Sequence, residues 1–221
     1  MQESLQTVFS WRIKMKFILA TKNQKKLKEL QRILSPLGHE VISERDLPTP
    51  LPEVIEDADT FEGNALLKAR SAMKFTGLAA IADDSGLCVD YLDGAPGVYS
   101  ARFAGEDQDD QKNNQKLLEA LKGVEKEKRT ARFVSAVAVV FENGKEFTVR
   151  GTCEGYIAEE KQGENGFGYD PMFIPMGYDI TFGEFDPEEK NKISHRGKAL
   201  ELMKEQLRNA IEKYFRGERS T

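Results

Sequence analysis

Cysteine is scarce in this chain: two occur in 221 residues, Cys88 and Cys153, far apart and in no Cys-x-x-Cys spacing. That excludes a disulfide framework and a thiolate metal cluster, and both thiols read as small buried hydrophobes in strand-like runs. No apolar run approaches the ~20 residues that a membrane-spanning helix needs. Internal repeats and low-complexity tracts are also missing. Positive charge is not in excess: 32 basic residues stand against 37 acidic ones, for a formal net charge of −5. This disfavours a nucleic-acid surface as the main business, but local Lys and Arg still allow a small anionic ligand. Residues 1–14 carry no signal-type apolar region and precede a second methionine, Met15, where a clean strand pattern begins. They are expected to be an extension without an assigned role, and the setting is expected to be reducing and cytoplasmic.

What remains is the composition of an ordinary globular protein, with enough chain for one domain or one domain in two lobes. Its centre is Ile81-Ala82-Asp83-Asp84-Ser85-Gly86. Residues 78–82 form a short apolar run that reads as a buried strand, and two carboxylates and a hydroxyl follow at once. Adjacent Asp residues beside a buried strand are costly unless a helix N-terminus, a Lys or Arg, or a divalent cation compensates them. The pattern reads as a strand followed by an acidic turn, with Gly86 allowing a bend.

Before this centre, residues 16–20 read as a strand that runs into Thr21, Lys22, Asn23, Gln24, Lys25 and Lys26. An amphipathic helix follows, with Leu27, Leu30, Ile33, Leu34 and Leu37 on one face and Pro36 and Gly38 to end it. Asn23 is the expected cap; first-turn amides with Lys26 make an anion site, the alternative being a capped surface helix with solvated lysines. A second strand is expected over residues 39–43. A Pro-rich loop then turns acidic through Glu56, which is either a helix-dipole partner or a second oxygen ligand for a metal shared with Asp84. Asp59 and Glu62 resemble a capping box for a helix over 60–75, burying Ala65, Ala69 and Ala72 while Lys68, Arg70 and Lys74 face elsewhere.

After the centre, a short strand over 89–92 and a turn at 93–97 lead to Arg102, which sits between aromatics and suits a phosphate or a structural carboxylate. A helix is expected over 108–121 and a Val-rich central strand over 131–141. Asn143-Gly144 signals a type I′ hairpin into residues 146–157, so the sheet gains an antiparallel part. In Gly166-Phe167-Gly168-Tyr169-Asp170-Pro171, glycines around an exposed Phe and Tyr permit stacking on a flat ligand, or else the rings fold onto the core. Short extended pieces are expected over 172–174 and 182–185. One last helix should run from about 188 to 215, with Ser194 as an internal cap, Lys190 nearby and a frayed tail from 216. His195 and Arg196 would lie in a first helical turn, where cations are disfavoured unless an anion is present.

Several of these stretches occur in the same order in one family. They are Thr21-x-Asn23-x-x-Lys26, Thr60-Phe61-x-x-Asn64-Ala65, and Ile81 through Leu87. Gly94-Ala95-Pro96-Gly97-x-Tyr99-Ser100-Ala101-Arg102, Gly166 through Pro171, and Glu189-Lys190 with Ile193-Ser194-His195-Arg196 complete the set. On these residues, over about 15–207, the chain resembles the inosine triphosphatase-like (Ham1-like) purine nucleoside triphosphate pyrophosphatases. The resemblance implies an α/β fold, a two-lobed mixed central β-sheet flanked by helices, with the active site in the cleft between the lobes. It implies a homodimer and Mg²⁺-dependent hydrolysis of ITP, dITP and XTP to monophosphate and pyrophosphate, without nucleic-acid or membrane partners. Thr21, Lys22, Asn23, Gln24, Lys25 and Lys26 would bind the triphosphate. Asp84 would accept a proton and ligate the metal, with Glu56 as second ligand. Ser85, Phe167, Gly168, Tyr169 and Asp170 would contact the nucleotide, as would Lys190, His195 and Arg196. Competing readings are a pyrophosphatase for modified pyrimidine triphosphates and a nucleotide sensor without turnover.

Overall fold

The computed structural model describes residues 14–106 and 108–217; it leaves out the side chains of Lys25 and of residues 214–217. The expected extension, up to residue 13, and the tail from 218 lie outside the described residues.

The first elements follow the sequence closely. Strand β1 (Lys16–Leu19) leads into helix α1 (Gln24–Leu34). Asn23 caps that helix: its Oδ1 accepts the Lys26 N–H at 3.4 Å and its carbonyl accepts the Leu27 N–H at 3.2 Å. A 3-10 turn carrying Pro36 ends it at Gly38, whose φ of +82° suits glycine. Strand β2 (Glu40–Ser43) comes next. Helix α2 (Phe61–Thr76) is capped by Thr60, whose Oγ1 accepts the Gly63 N–H at 3.0 Å. The cap is therefore one residue later than the Asp59–Glu62 box, which puts Phe61 in the first turn and buries it.

The acidic centre departs from expectation. Strand β3 (Ala79–Val89) runs straight through Asp83, Asp84, Ser85 and Gly86 without a turn. Cross-strand pairing explains this, because residues from Ala80 to Val89 are matched one by one with β4 (Thr130–Val140). Gly86 is needed for close approach instead: a Cβ there would lie 2.5 Å from the Gly97 carbonyl oxygen and 2.8 Å from the Phe61 ring. Residues 90–92 leave the strand as a 3-10 turn.

Helix α3 (Asp110–Ala120) is capped by Asp109. Strand β4 passes to β5 (Glu146–Ile157) through residues 141–145, where the Phe141 N–H donates to the Lys145 carbonyl at 2.8 Å. The Gly144 N–H bonds the Phe141 carbonyl and only Gly144, at φ +78°, has positive φ, so the turn is a type I turn with a glycine bulge rather than type I′. After the short β6 (Phe173–Pro175), residues 182–185 form a turn, not an extended piece. The last helix is two: α4 (Pro187–Ile193) and α5 (His195–Gly217), separated by Ser194 in an extended conformation. Ser194 Oγ accepts the Gly197 N–H at 3.1 Å, so the internal cap starts a new helix. Helix α5 continues to Gly217, two residues into the segment expected to fray.

The sheet order is β2-β1-β3-β4-β5-β6, parallel for β2, β1 and β3 and antiparallel from β3 onward. Alternation along β3 and β4 feeds opposite layers. Ile81, Val137 and Val139 join Leu27, Leu30 and Leu34 of α1 and Met203 and Leu207 of α5. Ala80, Ala82 and Ala138 face Ala65, Ala69 and Ala72 of α2, small side chains that let helix and sheet approach closely. Each fully buried Leu of this core stabilises the fold by about 1.5–3 kcal/mol. A second cluster, with Leu87, Val89, Leu117, Phe133, Phe173 and Phe182, makes the other lobe. The long β3 and β4 belong to both lobes, and residues 83–86 lie at the crossing.

Candidate active site

Strand alternation sends the carboxylates at that crossing to opposite faces. Asp83 shares its face with Ile81 and meets α1, where Lys26 Nζ stands 2.6 Å from its Oδ2. Asp83 is buried, and burial alone would raise its pKa. The Lys26 and Arg196 charges, the Lys26 hydrogen bond and Lys68 outweigh that and hold it at about 2. Asp84 shares its face with Ala82 and meets α2. Asn64 Nδ2 donates to its Oδ2 at 3.2 Å, the Ser85 N–H donates to its Oδ1 at 3.0 Å, and Lys68 Nζ lies 3.7 Å from Oδ1. Here burial prevails over Lys68 and Asn64, with Glu56 adding to it, so the Asp84 carboxyl is raised above the ordinary carboxylate range. Two neighbouring Asp residues are thus pushed apart, one firmly ionised and one more basic.

A cavity of about 300 Å³ opens over this crossing. Lys26, Glu56, Asp84 and Ser85 line it from one lobe, and Phe167, Gly168, Tyr169 and Asp170 from the other. Lys190, His195 and Arg196 close a third side, where α4 passes into α5. Ser85 Oγ bonds Ser135 Oγ at 2.9 Å, so its place on the strand is fixed.

The aromatic loop divides in two. Phe167 is 59% exposed and offers its ring to the cavity, with Lys190 Nζ 5.5 Å from its centroid. Tyr169 takes the other of the two readings and folds onto the core: it is buried and donates its hydroxyl to the Ser100 carbonyl at 2.8 Å. Asp170 is buried; its Oδ2 accepts the Phe167 N–H at 2.8 Å and pairs with Lys190. Burial raises its pKa despite that lysine. His195 stacks on Phe133 with ring centroids 4.7 Å apart, and its Nδ1 is enclosed without a hydrogen-bond partner among the described residues. Burial, with the Lys190 and Arg196 charges beside it, lowers its pKa to about 3, so the imidazole is neutral at pH 7. Arg196 Nε lies 3.0 Å from Glu29 Oε2 as an ion pair. A neutral His195 and an ion-paired Arg196 are how the first turn of α5 tolerates both residues.

Not every expected residue lines the cavity. Thr21, Lys22, Asn23 and Gln24 stand outside its lining; Thr21 Oγ1 accepts the Asn23 N–H at 3.2 Å, a local turn contact that shapes the start of α1. Gln24 Nε2 is enclosed without a partner among the described residues, and the Lys25 side chain lies outside them. Arg102 does line the cavity; its Nη2 donates to the Glu56 carbonyl at 3.2 Å, and its guanidinium lies over Tyr99.

Lys68 and Asn64 were missed. Lys68 does not face elsewhere but reaches the cavity, 2.7 Å from Glu56 Oε2. The usable signal was their spacing of four residues, which puts both on the α2 face above Asp84. Glu56 and Asp84 are then two hard oxygen donors with an ammonium between them, an arrangement whose charge a small divalent cation would also satisfy. Among the described residues no group of three or more His, Cys, Asp or Glu is placed to hold a metal, so such an ion would complete its shell with water and ligand oxygens.

Comparison with known proteins agrees with this geometry. The family model described as the Ham1 family matches residues 17–206. A protein of Desulforamulus reducens named dITP/XTP pyrophosphatase is 54% identical over 193 residues, covering 87% of this chain and 96% of the relative. The Ham1 protein structure from Staphylococcus aureus superposes with a TM-score of 0.82 at 39% identity, covering 88% of this chain and 99% of that one. The nucleoside-triphosphatase, or dITP/XTP pyrophosphatase, structure from Mycobacterium abscessus gives a TM-score of 0.75 at 48% identity, covering 86% and 97%.

Proposed function

Because the chain belongs to the Ham1 family, we propose that it hydrolyses deaminated purine nucleoside triphosphates, ITP, dITP and XTP, to the monophosphate and pyrophosphate. The observation that carries this reading is Asp84, a carboxyl made more basic by burial, set among Lys26, Lys68, Lys190 and Arg196 in a cavity that also presents an exposed phenyl ring. An acid-only or base-only cavity would bind; a basic carboxylate among cations can also turn over a phosphate anhydride.

In the proposed reaction water attacks the α-phosphorus, the bond from that phosphorus to the bridging oxygen breaks, and pyrophosphate leaves. Asp84 takes the proton from the attacking water. Lys26, Lys68 and Lys190 exchange their carboxylate partners for phosphate oxygens and hold the developing negative charge. Glu56 and Asp84 would hold Mg²⁺, which supplies charge neutralisation on the phosphoryl oxygens when bound. Phe167 stacks on the purine. A 6-oxo group accepts hydrogen bonds where the adenine 6-amino group donates them, so Arg196 and backbone amides favour hypoxanthine and xanthine. His195, neutral, adds one imidazole N–H as donor without adding charge. Removal of such triphosphates cleanses the nucleotide pool, and the enzyme is proposed to do this as a cytoplasmic homodimer without nucleic-acid partners. The described helices include none long and apolar enough to cross a membrane.

Product analysis tests the reaction type. ³¹P spectra of ITP incubated with the protein and Mg²⁺ should show inosine monophosphate and pyrophosphate in equal amounts. Inosine diphosphate with orthophosphate would place the attack at the γ-phosphorus and overturn the reading.

A further inference from the structure

Helix α3 touches the cavity at one residue, Asp110, yet it contacts both facing walls. The Gly168 N–H donates to Asp110 Oδ2 at 2.8 Å, and the Gly168 carbonyl accepts from Asn114 Nδ2 at 3.0 Å. Residues four apart share one helix face, so a single face of α3 holds both polar groups of one glycine. The N–H and the carbonyl belong to the two peptide units that meet at the Gly168 Cα, so the two bonds together fix its backbone dihedrals.

The clamp adds to one further tie, on the Phe167–Gly168 peptide, whose Phe167 carbonyl accepts the Asp170 N–H at 3.2 Å. Gly168 has a φ of +58°, and nothing lies within 4 Å of where its Cβ would stand. It is also the joint between two unlike rings: exposed Phe167 on one side and buried Tyr169, tied to the Ser100 carbonyl, on the other. The neighbouring Asn113 performs the same service on the opposite wall. Its Nδ2 donates to the Ala101 carbonyl at 2.9 Å and its Oδ1 accepts the Ala104 N–H at 2.7 Å. Asn113 and Asn114 are each 2% exposed, so their amides are fixed groups of the interior and not surface contacts.

We infer that α3 is the positioning element of the base site: Asp110 and Asn114 clamp the peptides on either side of Gly168 and so set the angle of the Phe167 ring, while Asn113 fixes the facing wall. The inference rests on Phe167 being the base platform of the proposed reaction. Glycine loses more freedom on ordering than any other residue, and a clamp that has already ordered it spares the ligand that cost. Asp110, Asn113 and Asn114 are positioning residues; the clamp places Phe167 without touching the reacting atoms.

The test uses Asp110, which is exposed. Asp110→Ala removes the acceptor for the Gly168 N–H, and Asp110→Asn keeps an acceptor while removing the charge. For ITP, Asp110→Ala should raise KM about tenfold, the scale of leaving one residue to be ordered by the ligand, with kcat little changed. Asp110→Asn should restore KM. For ribose 5-triphosphate, which has no base to stack, KM should not move in either variant. Asn114→Asp, which loses the donor to the Gly168 carbonyl, should repeat the Asp110→Ala pattern. An equal rise on both substrates, no rise on ITP, or an Asn variant as weak as the Ala variant would overturn the clamp.

Amide exchange gives a readout independent of activity: the Gly168 N–H should exchange faster in Asp110→Ala than in the wild type, and unchanged exchange would overturn the clamp. A wild-type protein that releases no pyrophosphate from ITP would count against the proposed reaction, while the Gly168 exchange would still decide whether α3 holds the loop.

Discussion

Mild acid should weaken this fold through one imidazole. His195 is held neutral chiefly by burial, with Lys190 and Arg196 opposing a further positive charge, and its folded pKa is about 3 against 6.5 in an unfolded chain. The depressed value means that the unfolded state takes up the proton first. Stability is therefore undiminished well above pH 6.5, falls as pH drops through 6.5, and goes on falling until about pH 3. Below 6.5 each pH unit approaches a cost of about 1.4 kcal/mol, so between pH 6.5 and 5 His195 alone should remove about 1–2 kcal/mol. The other histidine, His39, is also lowered by burial and adds to the trend in the same direction. The assay is urea unfolding at pH 6.5 and 5.0 for the wild type and for His195→Phe, whose ring can keep the stack on Phe133. The difference between their pH dependences isolates His195 and should be about 1–2 kcal/mol. Equal pH dependence in the two proteins, or an NMR titration of His195 near 6.5 in the folded state, would refute the reasoning.

Other perturbations follow from the same contacts. Lys26→Met leaves Asp83, 8% exposed, without its nearest cation and should cost about 3 kcal/mol in unfolding free energy; adding Asp83→Asn should recover most of it. Gly86→Ala forces a methyl against the Gly97 carbonyl and the Phe61 ring and should destabilise by about 1–3 kcal/mol, seen as a lower thermal midpoint. Tyr169→Phe leaves the Ser100 carbonyl without its hydroxyl donor and should cost about 1–2 kcal/mol in denaturant unfolding.

Much of this molecule was legible because its signals are local. The stripe from Leu27 to Leu34 marked α1, and the Val-rich run marked β4. Asn143-Gly144 located the hairpin, although its turn type depends on the φ of Asn143, which the dipeptide alone does not set. Where expectation failed, a distant partner decided. Residues 83–86 look like a turn in isolation and are a strand because β4 supplies ten paired neighbours along β3. The sequence leaves open whether Phe167 and Tyr169 stack on a ligand or fold onto the core; the Ser100 carbonyl, far away in sequence, and the cluster with Leu87 and Phe173 bury Tyr169 and leave Phe167 exposed. Lys68 looked like a solvated helix lysine because nothing local announces that Glu56 and Asp84 meet at its ammonium. Family-specific motifs pointed to the cleft through Asp84 and Lys190, and one of them contains Asn64, but Asn113 and Asn114, which hold the cavity walls, lie on a helix that carries no chemical signature of its own.

The central claim is that Asp84 drives pyrophosphate release from deaminated purine triphosphates. It is tested most directly by measuring pyrophosphate from ITP, XTP, GTP and ATP with Mg²⁺, for the wild type and Asp84→Asn at equal, verified folding. The account predicts rapid release from ITP and XTP, little from ATP, and near-complete loss in the variant. Equal turnover of all four nucleotides, or an Asp84→Asn protein that keeps the wild-type rate on ITP, would contradict it.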